Sequence, residues 1–273
     1  MNIRRTLFAM VILGLAMVVA LIYFPREIKV IEYRCRGYEI QSTPHFSLLF
    51  KAESREEIPV VARAAEQAYA AVGQDFHYYP AGKIPIIIYP ESDSLQIAFN
   101  WPRDEKNQGV YHRDVIYIQA PSAWVAADQS LESEFFVRGP MVHEYTHLVT
   151  DHLTAGNYSR WFTEGVAQYE EQRVTGYTLE QDFAIDKNFY YSPQDMFFSF
   201  DQLPDVPRAY IQALEMTTQL VGEGGLDEIR GTLLLLRAGA SANELFLQRA
   251  GKPPFEGKHL FVTNITYGGD LFE

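Results

Sequence analysis

Gly139–Thr154 reads GPMVHEYTHLVTDHLT, and the rest of the chain is best understood outward from it. Gly139-Pro140 opens a helix, with proline in the first-turn position where its missing N–H costs nothing. Within that helix His143-Glu144-Tyr145-Thr146-His147 is an HExxH pattern. Residues four apart share a helix face, so both imidazoles point the same way and can ligate one tetrahedral metal ion. Glu144 lies beside the first imidazole, placed to take a proton from a metal-activated water without itself binding the ion.

A third ligand is needed. Arg160–Tyr169 (RWFTEGVAQY) begins a second helix, and its Glu164 follows His147 with sixteen residues between. That length lets the first helix finish, the chain turn through Gly156 and Asn157, and the second helix bring a carboxylate back. His143, His147 and Glu164 leave the fourth position of a zinc site open, the arrangement of a catalytic centre and not a structural one. Glu170 and Glu171 are alternative third ligands, and two His with a carboxylate also suit other divalent ions. Gln168, one turn after Glu164, and Asp151, one turn after His147, are candidates to hold the ligand imidazoles in the right tautomer.

His143–His147 together with Glu164 inside WFTEGVAQY resembles the gluzincin branch of zinc metallopeptidases, in particular the bacterial peptidase-MA-like families. The resemblance spans Phe46 to Phe255. It implies an α+β, zincin-like metallopeptidase fold: a small mixed sheet with helices, the HExxH helix and a helical C-terminal subdomain. It also implies Zn2+ on His143, His147 and Glu164, with Glu144 as general base and later proton donor. Tyr210, in Ala209-Tyr210-Ile211-Gln212-Ala213, matches a tyrosine that steadies the oxyanion in related enzymes; packing a helix against the core is the alternative role. The spacing to Glu164 is shorter than in thermolysin or the large aminopeptidases, so the loop between the helices differs. No aminopeptidase signature lies upstream.

Residues 7–24 (LFAMVILGLAMVVALIYF) form an apolar run behind Arg4 and Arg5, about the minimum length for a membrane-spanning helix. We read it as a single-pass anchor, with a cleaved signal peptide as the competing reading. Arg26, Lys29, Arg34 and Arg36 follow the run and pull against export by the charge rule, yet long folded domains translocate largely regardless of flanking charge. The expected order is a tail over 1–6, an anchor over 7–24, a juxtamembrane linker over 25–40 and a periplasmic or extracellular domain over 41–273. Within the last, 41–138 is an α/β part and 139–273 a helical part carrying the metal site.

The 273 residues carry 23 Lys+Arg against 35 Asp+Glu, a formal net charge of −12. An acidic balance without a basic stripe argues against a nucleic-acid partner. At 47% hydrophobic and 14% aromatic the chain is too apolar for disorder. The lone Cys35 excludes a disulfide framework and any Cys-based zinc knuckle.

Coarse periodicity places the remaining elements. His45–Lys51 is a strand. Ser54 with Glu57 forms a capping-box signature before a helix through Val61, Ala65, Ala68 and Val72, stopped at Gly73. Lys83–Tyr89 (KIPIIIY) is a buried strand and Ser92–Phe99 a short helix. Gly109–Ala120 is a hairpin or one long strand, and its Val110–Ile118 is the candidate edge for aligning an extended peptide. A helix covers part of Ser122–Phe136, and helices return at Arg208–Val221 and Leu226–Ala238. Trp161, Phe162 and Leu233–Leu236 belong to the core. His45 and His152 read as structural, and His77 and His112 as surface residues.

The expected function is that of a membrane-anchored zinc-dependent peptidase acting on a peptide or protein substrate. The alternative is a catalytically silent zincin-fold module for binding or assembly at the membrane. Hydrolysis of a non-peptide amide or ester would share the same metal-water chemistry.

Overall fold

A computed structural model describes residues 10, 24–101, 107–186 and 188–249. The proposed anchor over 7–24 lies outside these residues apart from Met10 and Phe24, and so does the expected loop at Gly251–Gly257. No helix among the described residues is long and apolar enough to cross a membrane.

The architecture is α+β. Five strands, β1 (Glu39–Ser42), β2 (Phe46–Phe50), β3 (Ile84–Tyr89), β4 (Gly109–His112) and β5 (Val115–Gln119), form one mixed sheet in the order β1-β2-β3-β5-β4. The three inner strands are parallel and the two outer ones antiparallel to their neighbours. Every residue of β2, β3 and β5 is buried. Parallel strands covered on both faces are apolar throughout and do not alternate, which is why IPIIIY is a continuous run.

Leu49, Ile87 and Tyr117 stand in one row across the sheet. Onto this face pack Tyr33 of α1 (Pro25–Cys35) and Leu95 of α3 (Ser94–Phe99). The segment read as a juxtamembrane linker thus contains a helix seated on the sheet, and the Tyr33 hydroxyl lies 2.6 Å from that of Tyr89. On the opposite face Phe46 meets Tyr69 of α2 (Ile58–Phe76) and Tyr145 of α5 (Met141–Thr154), with ring centroids 6.1 and 6.0 Å away. The HExxH helix therefore lies directly against the sheet.

Two local expectations fail for identifiable reasons. Ser54 and Glu57 make no capping box: Ala52–Glu57 is a 3-10 turn and α2 begins at Ile58 with no side-chain cap. The Glu57 carboxylate instead accepts from the Ser122 N–H and hydroxyl, both at 2.7 Å. Gly73 does not end α2, which runs to Phe76 and closes on His77 in the left-handed region at φ 51°. The glycine serves a close approach, because a Cβ there would sit 2.1 Å from the Tyr79 ring.

Two compact units are distinguishable. One holds the sheet, α1 to α5, including α4 (Leu131–Arg138), and Glu170–Tyr177. The other holds Thr154–Tyr169 and the described chain from Thr178 on, with α7 (Pro193–Phe198), α8 (Val206–Val221), α9 (Gly225–Arg237) and α10 (Ala242–Arg249). Helix α6 (Arg160–Thr175) contributes residues to each unit. In the second unit Trp161 and Phe162 are fully buried, and the Trp161 indole donates to Asn243 Oδ1 at 2.8 Å. Leu233 and Leu236 are buried, whereas Leu234 and Leu235 are 61% and 40% exposed, so α9 is amphipathic and not buried all round.

Candidate metal centre

Helix α5 is set by the element before it and by its own side chains. Gly139 lets α4 and α5 join tightly, since a Cβ there would fall 2.1 Å from the Phe135 carbonyl oxygen. Thr146, whose hydroxyl would otherwise compete with the helix, donates back to the Val142 carbonyl at 2.7 Å. His143 and His147 then sit one turn apart with ring centroids 4.8 Å from each other.

Helix α6 brings the carboxylate. Glu164 is 1% exposed. The residue after it, Gly165, is required by packing: a Cβ would meet Thr217 Oγ1 at 2.1 Å and the Ala213 carbonyl at 2.3 Å, so α6 lies hard against α8. One ligand atom from each of His143, His147 and Glu164 lies within 4.8 Å of the other two. Ligand atoms 2.0–2.2 Å from one zinc ion at tetrahedral angles are roughly 3.3–3.6 Å apart, somewhat closer than the 4.8 Å within which these three lie. Two imidazoles and a buried carboxylate fit a divalent metal ion, and His143, His147 and Glu164 are positioned to bind one.

Outer partners fix these ligands. His143 Nδ1 lies 3.3 Å from Glu171 Oε2. If the ring donates from Nδ1 to that carboxylate, Nε2 is the atom it would offer a metal ion. Glu171, two turns beyond Glu164 on α6, is thus a partner of an imidazole, a part its place in the sequence does not reveal. Gln168 plays a different part from the one expected: its amide donates to the Glu164 and Tyr210 carbonyls at 3.2 and 2.8 Å. Asp151 accepts from the Tyr111 hydroxyl at 2.6 Å. Burial, then that carboxylate, pushes the Tyr111 phenol far above its usual range.

Glu144 is buried, and its Oε2 accepts the backbone N–H of Tyr111 on β4 at 2.6 Å. The carboxylate next to the imidazoles is thereby tied to the edge strand. Gly109 permits this approach, because a Cβ there would be 2.6 Å from Pro140 Cβ and 3.0 Å from Glu144 Cγ.

The hairpin carrying Tyr111 is itself anchored. Its turn residues Arg113 and Asp114 are both left-handed, at φ 48° and 66°. Asp114 Oδ1 lies 2.5 Å from His152 Nε2 and 2.8 Å from Arg26 Nη2, while the Tyr78 hydroxyl lies 3.0 Å from His152 Nδ1. The His152 hydrogen bond, opposed by partial burial and aided by Arg26, holds the Asp114 carboxyl down at about 2.

Tyr210 packs its ring against Phe200 at 5.4 Å, and its hydroxyl accepts from Arg160 Nη2 at 3.3 Å. Arg160 also pairs with Glu164 Oε1. The remaining histidines behave as structural or surface residues: His45 stacks on Tyr69 at 3.7 Å, and His77 and His112 are exposed.

Compared with known proteins, the chain matches no protein-family model and no curated protein.

Proposed function

We propose that the protein is a zinc-dependent hydrolase of the gluzincin type that cleaves peptide bonds, tethered to a membrane by residues 7–24 with its catalytic domain outside the cytoplasm. The observation that carries the reading is the convergence of His143, His147 and Glu164, with ligand atoms within 4.8 Å of one another beside a buried Glu144. A zinc ion held there would supply a Lewis acid that polarises a substrate carbonyl and acidifies water.

The chain's own groups do the rest. Glu144 receives the water proton on its carboxylate and delivers it to the nitrogen of the leaving amine. The Tyr111 N–H keeps that carboxylate from turning away, and Glu171 keeps His143 in the ligating tautomer. The Tyr210 hydroxyl steadies the carbonyl oxygen as negative charge grows on it. Strand β4 lies at the sheet edge, where main-chain groups can pair with an extended peptide.

Glu144→Gln tests the assignment. It is expected to retain zinc while turnover of a peptide library falls by about 10²- to 10⁴-fold, the usual worth of general acid–base catalysis. Turnover at the parental rate would overturn the mechanism.

A further inference from the structure

Arg160, the first residue of α6, carries more than an ordinary helix-surface ion pair. Its side chain is 45% exposed, whereas that of Glu164, its partner one turn on, is 2% exposed. Exposed pairs of this spacing contribute little on their own. Here, however, the guanidinium meets three acceptors from three segments. Nη1 pairs with Glu164 Oε1, Nη2 donates to the Tyr210 hydroxyl at 3.3 Å, and Nε donates to Asp201 Oδ1 at 2.9 Å. Asp201 lies in the 3-10 turn Phe200–Gln202 and Tyr210 on α8.

A guanidinium is a rigid planar fork, so fastening Nε aims both Nη groups at once. We infer that Arg160 is a positioning residue for the metal centre: it holds Oε1 of Glu164, turns Oε2 toward His143 and His147, and sets the Tyr210 hydroxyl beside the same carboxylate. Glu164 would then offer an ion one oxygen only. Because the Tyr210 oxygen accepts from Arg160, its own proton points away from the guanidinium. This inference rests on the reading of His143, His147 and Glu164 as metal ligands.

The test uses the full chain, Zn2+ competition against a chromophoric chelator, and the visible spectrum of the Co2+-loaded protein. Arg160→Ala is expected to weaken Zn2+ at least tenfold, the scale of losing an outer-sphere partner. Its Co2+ bands should also lose intensity, because a released carboxylate grips the ion with both oxygens and raises the coordination number. Arg160→Lys keeps the charge without the fork and should recover only part of each change. Unchanged Zn2+ affinity and Co2+ spectrum in Arg160→Ala would overturn the inference, as would a fall in Tm alone, which is what a simple tie between α6 and α8 predicts. Should that variant not fold, Asp201→Asn at the exposed end of the fork is expected to shift the Co2+ bands in the same direction, and no shift there overturns the inference equally. A parent chain that binds no Zn2+ would remove the metal-site reading itself, an outcome distinct from those in which the parent binds and the variants match it.

Discussion

The backbone N–H of Tyr111 donates to Glu144 Oε2 at 2.6 Å, so the edge strand of the sheet and the proposed general base are fastened to each other by a charge-assisted hydrogen bond. The bond goes with a close approach of β4 to the start of α5, which Gly109 permits.

Gly109→Ala should therefore act on stability and on the base together. The added Cβ would lie 2.6 Å from Pro140 Cβ and 3.0 Å from Glu144 Cγ, and relieving it displaces β4. We expect a destabilisation of about 1–3 kcal/mol, in the range for overpacking a tight contact. Differential scanning calorimetry should show it as a Tm several degrees lower; a Tm equal to the parent's would contradict the packing described.

Glu171 should govern metal affinity without being a ligand. Removing the carboxylate that faces His143 Nδ1 takes away one tie on the tautomer of that imidazole. Glu171→Ala is expected to weaken Zn2+ by about 10- to 100-fold while keeping one ion per chain at saturation. Loss of the ion even at saturating Zn2+ would mean that Glu171, and not Glu164, completes the set.

Acid should loosen the hairpin that carries Tyr111. The Asp114 carboxyl, faced by His152, Arg26 and the Tyr111 hydroxyl that receives its backbone N–H, is depressed to about 2 from an ordinary value of 3.8. A depressed folded-state value adds stability above pH 3.8 and loses it as pH falls through 2. Asp114→Asn removes the charge yet keeps a side chain that tolerates the left-handed backbone. The parent should exceed the variant by about 1 kcal/mol near neutral pH, after allowance for solvent screening of a part-exposed group. Unfolding titrations at several pH values should show that gap vanishing near pH 2; a gap independent of pH would contradict it.

Much of this was legible in the residues. The buried strands announced themselves as unbroken apolar runs, and HExxH with a downstream carboxylate pointed to three side chains that do converge. What periodicity could not convey was purpose at single positions. Gly73 looked like a helix stop, but the Tyr79 ring crossing it decides that glycine. Ser54 and Glu57 matched a capping box, but Ser122, distant in sequence, takes the carboxylate. Glu171, and not Gln168, meets the His143 imidazole, because hydrogen bonding depends on which way each side chain faces, and a one-dimensional spacing does not contain that. Arg160 carries no such signal in the sequence for the same reason, since two of its three partners, Asp201 and Tyr210, come from far along the chain.

The most direct test of the account is the metal content of Arg26–Glu273 by elemental mass spectrometry, measured beside His147→Ala and Glu164→Ala. We predict about one zinc per chain in the parent, with both variants losing most of it, as expected when one of three protein ligands is removed. A folded parent that carries no zinc after purification without chelator, or a Glu164→Ala variant that keeps it undiminished, would contradict the three-ligand centre.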